Sequence, residues 1–150
     1  MSAPLWAKDD SARHRVELFV RSLAPETGRR RQESVIERLQ ELETAGHIEA
    51  LDVYLAGDCV CPDSAAAERE IGSFLLDRVE AFESWADEAG VTLVGFKRRC
   101  VESTLAGETV TGIRFPRLCL AVYSADRLEL VAPATGDDGT TIPEALDALD

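Results

Sequence analysis

Lysine is nearly absent from this chain of 150 residues. Lys8 and Lys97 are the only two, and every other basic residue is an arginine. Acidic side chains number 28 against 16 basic ones, for a net charge of −12 and a pI near 4.6. That balance argues against unselective attraction to nucleic acid or to anionic lipid, although a local basic patch remains compatible with it. The apolar runs are short, none approaching the ~20 residues of a membrane-spanning helix. The opening MSAPLWAKDDSARHR has no hydrophobic core of a signal peptide, so a cytoplasmic protein is expected. Catalytic signatures are missing as well. There is no G-x-S-x-G elbow, no G-x-G-x-x-G, no P-loop and no C-x-x-C. His14 and His47, the two histidines, have no carboxylate or cysteine at ligand spacing. No catalytic residue, cofactor or metal is therefore expected, and a non-enzymatic role is.

An acid excess with so little lysine suits a salty cytoplasm. At molar salt the Debye length is about 3 Å, so like charges repel weakly and a carboxylate surface keeps the chain hydrated. An acidic protein of an arginine-rich proteome is the plainer reading.

Hydrophobic periodicity gives the architecture. Residues 1–12 read as a flexible tail and 13–150 as a single domain. HRVELFVRSL alternates, with Val16, Leu18 and Val20 on one face and Glu17, Phe19 and Arg21 on the other, as in a strand. RRRQESVIERLQELETAG carries a helical stripe of Val35, Ile36, Leu39 and Leu42 and ends at Gly46. HIEALDVYLAG is a second strand, with Leu51, Val53 and Leu55 on its inward face. A strand–helix–strand unit favours a parallel pair. The longest helix runs from about 64 to 89, capped by Asp63 or Ser64 and ended by Gly90. Its stripe of Phe74, Leu75, Val79, Phe82, Trp85 and Ala86 reads as core. TLVGFKRRCVES, TVTGIRF–PRLCLAVY and RLELVAP read as three strands of an antiparallel meander, with Pro116 at a bulge or strand start. Pro143 opens a last short helix. The expected order is β-α-β-α-β-β-β-α. It makes an α+β two-layer sandwich on a mixed sheet, loosely ferredoxin-like, with a winged-helix-like fold as the alternative.

The four cysteines are Cys59, Cys61, Cys100 and Cys119. Three roles stand for them: buried thiols, metal ligands and redox groups. Buried thiols are expected, because C-x-C is not a zinc knuckle and Cys59 and Cys61 continue the inward face of the second strand. Arg29, Arg30 and Arg31 open the first helix, where cations oppose the helix dipole but anions are welcome. They form either a phosphate-binding corner or a solvated turn paired with Glu26, Glu33 or Glu37. Lys97 and Arg99 share a strand face as a second basic spot.

Three segments together, RVELFVRSL, FESWADEAG and CLAVY, resemble a family of small haloarchaeal proteins labelled helix-turn-helix. The similarity runs from about Arg15 to the C-terminus. It implies a regulatory protein that contacts DNA, with Arg29–Arg31 as phosphate contacts. The competing expectation is a sheet-based binding module, a homodimer through a sheet face or edge, without direct DNA contact.

Overall fold

The computed structural model describes residues 14–22, 28–56, 66–103 and 108–150. The elements are β1 (His14–Val20), α1 (Arg29–Thr44), β2 (Ala50–Leu55), α2 (Ala66–Ala89), β3 (Thr92–Leu93), β4 (Lys97–Ser103), β5 (Glu108–Arg114), β6 (Leu118–Ser124), β7 (Arg127–Ala132), β8 (Ala134–Thr135) and α3 (Ile142–Leu149). A four-stranded mixed sheet of order β2-β1-β6-β7 forms the centre. β1 and β2 are parallel, while β1–β6 and β6–β7 are antiparallel. The α+β class and the mixed sheet are as expected.

The alternation in β1 holds on both faces, and both faces are buried. Val16, Leu18 and Val20 join Val35, Leu39 and Leu42 of α1 and Ile142, Ala145 and Leu146 of α3 in one core. Phe19, Cys119, Ala121 and Val131 join Leu75, Val79 and Phe82 of α2 in a second. The helices therefore divide between the two faces, which makes three layers instead of two. β6, apolar on both sides, lies between β1 and β7 as its composition implied.

β2 is an edge strand, and here the expectation of an inward face fails. Val53 and Leu55 are 41% and 49% exposed. Only Leu51 packs partly on the first core, while Tyr54 turns to the second. Cys59 and Cys61, which were to continue that face, lie outside the described residues, as do the tail and the Asp63–Ser64 cap.

The meander also differs. β4 and β5 form a two-stranded sheet of their own, and β3 pairs with β8. The cause is local. Pro116 offers no N–H to a ladder, so the apolar run 109–123 breaks at Phe115–Arg117 into β5 and β6. Gly95 breaks the facing run at φ +89, and a β-carbon there would sit 2.6 Å from Cβ of Pro116. Gly95→Ala is thus expected to lower stability by at least about 1 kcal/mol from the left-handed backbone alone, with the contact adding to it. A thermal melt showing Gly95→Ala unchanged would refute this account of the break.

The ends of the helices follow local rules. Ala45 caps α1, Gly46 follows at φ +82, and His47 N donates to Leu42 O at 2.9 Å. α3 opens with a capping box. Thr141 Oγ1 accepts from Glu144 N, and the Glu144 carboxylate reaches back to Thr141 N.

Candidate nucleic-acid interface

Arg29, Arg30 and Arg31 form the exposed first turn of α1. Gly28, its N-cap, is left-handed at φ +75 and gives no side-chain cap, and no acidic residue occupies that turn. Arg29 Nε donates to Glu33 Oε1 at 3.1 Å, an exposed i,i+4 pair. Three cations at the positive end of a helix dipole are destabilising, and their potential adds to that of the dipole.

The tertiary fold brings further arginines to the same end. Arg117 Nη1 lies 3.6 Å from the position a β-carbon on Gly28 would take. Arg21, at the end of β1, donates through Nε and Nη2 to the Phe115 carbonyl at 3.2 and 2.7 Å, and its backbone N–H reaches Arg117 O. Arg114 follows one residue before Phe115, and Lys97 stands opposite it in the β4–β5 register. Arg114 Nε is buried with no hydrogen-bond partner among the described residues. Phe96 and Phe115, ring centroids 5.1 Å apart, anchor the base of this hairpin to the second core. Gln32 ties α1 to the same corner through Nε2 to Ser22 O at 2.8 Å. Arg117 and the Arg29–Arg31 turn thus lie side by side in an acidic protein, with Arg21, Arg114 and Lys97 on the adjoining strand ends.

The far end of α1 has the opposite character. At a rise of ~1.5 Å per residue it lies about 24 Å away. Toward that end Asp147 and Asp150 meet Arg38 at 2.6 and 3.8 Å, and beyond it Asp150 approaches His47 at 4.0 Å. The molecule is electrostatically polar along α1.

Sequence reasoning located Arg29–Arg31 but missed Arg21, Arg114 and Arg117, which only the fold brings to them. The side chains of Arg98 and Arg99 and residue Glu26 lie outside what the structure describes. Sequence reasoning also missed a buried charge. Glu17, on the central strand, is fully buried and accepts from Arg78 Nε and Nη2, both at 3.0 Å. Arg15 Nη1 approaches Glu17 at 3.7 Å, and its guanidinium lies 4.7 Å from the centroid of the Tyr123 ring. Arg78 also stacks on Phe74 at 4.4 Å. Burial is the strongest single influence and opposes the Arg78 charge, but the hydrogen bonds to Glu17 together with the attraction of Tyr123, Glu17 and Tyr54 outweigh it, and its pKa ends above the ordinary arginine value. Burial first, and then Glu17, push the Tyr123 phenol upward. The signal was in the sequence: Arg78 sits between Leu75, Val79 and Phe82, on a stripe otherwise apolar. The Glu17–Arg78 pair locks α2 to the sheet.

Cys119 is a free thiol, fully buried opposite Phe19, and burial pushes its pKa well up. That fits a small core side chain. Cys100 stands opposite Thr111 in β4.

A family model described as a helix-turn-helix domain matches residues 8–150. The chain belongs to the helix-turn-helix domain family. No curated protein and no solved structure matches it. Among the described residues of this helix-turn-helix family member, a strand separates every pair of successive helices. Residues 14–20 are strand and not helix, so the winged-helix-like alternative loses the helix it required. No helix among the described residues is long and apolar enough to cross a membrane.

Proposed function

We propose that the protein is a cytoplasmic, non-enzymatic transcription regulator that holds duplex DNA by its phosphates at the pole built from Arg29, Arg30, Arg31, Arg117 and Lys97. One observation carries the reading: the Arg117 guanidinium lies beside Gly28, so arginines remote in sequence share one surface with the open first turn of α1. Backbone N–H groups, the helix dipole and guanidinium forks all favour phosphate there. Family membership supports the same reading.

The choice of arginine over lysine fits a salt-loving, haloarchaeal source. In molar salt a point charge is screened within about 3 Å. A bidentate guanidinium–phosphate contact keeps its hydrogen-bond geometry. The chain as a whole, at net −12, repels DNA and confines contact to the pole.

The test is a fluorescence-anisotropy titration of a labelled short duplex over a range of KCl concentrations in which the chain stays folded. The proposal expects saturable binding whose log K falls linearly with log salt, at about 0.9 per phosphate contact. Absence of binding at every concentration would reject it.

A second reading rests on the edge strand. β2 has no outer partner strand among the described residues, and it exposes Val53 and Leu55. A homodimer pairing at this edge would bury both side chains. Sedimentation equilibrium of wild type against Val53→Lys separates the two states: a dimer that dissociates in the variant supports the reading, and a monomeric wild type removes it.

A further inference from the structure

A groove of about 570 Å³ runs between the second half of α2 and the start of β7. Ala81, Trp85 and Ala89 recur every fourth residue along α2, on one face of the helix. Between these small alanines Trp85, half-buried and packed on the core, lines the groove, with Leu128 as the other apolar wall. Two carboxylates line the same space, Glu88 and Glu129. Glu88 makes no ion pair among the described residues. Arg127 is 85% exposed and comes only within 4.0 Å of Glu129, a contact worth little in water. The groove therefore joins an aromatic surface to a surplus of negative charge, two turns along the same face of α2 from Arg78.

We propose that this groove binds a small organic cation with an aromatic or alkyl body. Its volume lies within the range of about 300–1,000 Å³ typical of ligand pockets. A tryptophan face attracts cations more strongly than any other aromatic side chain. The carboxylates disfavour anions, and a neutral apolar molecule would leave Glu88 without compensation. The net charge of −12 raises the local concentration of cations at any such surface. The proposal is independent of the DNA reading and stands or falls without it.

The experiment is a tryptophan-fluorescence titration of the full-length chain carrying Trp6→Phe, so that Trp85 alone reports. The probes are 4-phenylbutylamine and its neutral counterpart 4-phenylbutanol. The amine is expected to give a saturable change and to bind about two- to fivefold tighter than the alcohol, as an ammonium beside the Glu88 and Glu129 carboxylates would produce. Glu88→Gln, or Glu129→Gln where the first variant melts early, should remove most of that preference and leave alcohol binding unchanged. A linear, non-saturating change, equal affinity for amine and alcohol, or a preference that survives both glutamine variants would each overturn the proposal. The same titration on the wild-type chain guards against an effect of the Trp6 change.

Discussion

Arg30→Glu/Arg31→Glu loses duplex binding by at least about two orders of magnitude and is at least as stable as wild type. The loss follows from removing two charge-assisted contacts worth about 1.5–3 kcal/mol each, and two new carboxylates would repel the phosphates as well. The gain in stability follows from the helix dipole. Each cation removed from the first turn of α1, and each anion placed there, contributes about 0.3–1 kcal/mol at low ionic strength, and the first turn at present holds no acidic residue. Arg29 is left in place because it pairs with Glu33. The two readouts move in opposite directions, which separates a binding role from a structural one. If these arginines only held the corner together, the double variant would melt earlier. Anisotropy and a thermal melt on the same samples decide it. Intact binding, or a lowered melting temperature accompanying the lost binding, would refute the assignment.

Arg78→Ala is the most destabilising single change that the described interactions suggest. It strips a fully buried Glu17 of its two 3.0 Å hydrogen bonds and leaves Arg15, at 3.7 Å, as the nearest cation. Breaking a buried pair from one side costs about 3–5 kcal/mol, because the remaining charge is uncompensated. For a chain of this size each kcal/mol moves the melting temperature by about 2–4 °C, so a fall of roughly 10 °C is expected. Glu17→Leu/Arg78→Met removes both charges and should recover most of that loss. The exposed pairs differ: Arg38→Ala, which frees Asp147 from an exposed contact, should cost at most about 1 kcal/mol. The Arg78 deficit should also persist at high KCl, since buried pairs are little screened. A double variant no better than Arg78→Ala would contradict the view that the unpaired charge is the penalty.

The contrast between these two sites shows what one-dimensional patterns carry. α1, α2 and α3 follow from their apolar stripes and terminal glycines or proline, and β1 and β6 from alternation and from apolar content on both faces. Edge against centre is another matter, because ALDVYL in β2 alternates as an inner strand would. Only the sheet order β2-β1-β6-β7 exposes Val53 and Leu55. The separation of β4–β5 rests on Gly95 meeting Pro116, a contact between residues far apart in sequence. Arg29–Arg31 were visible as a run, whereas Arg21 and Arg117 join them only where the end of β1 meets the start of β6. Arg78 could have been read as a charge on a core stripe in need of a partner; which carboxylate answers it is a matter of tertiary structure.

The central claim is that DNA is held at the basic pole of α1. Amide chemical-shift mapping of the ¹⁵N-labelled chain on addition of a short duplex tests it most directly. The account predicts that the largest perturbations fall on Gly28, Arg29, Arg30, Arg31, Lys97 and Arg117, with the acidic end around His47, Asp147 and Asp150 unmoved. Perturbations centred on β2, on the α2–β7 groove or on the acidic end, with Gly28–Arg31 silent, would contradict it.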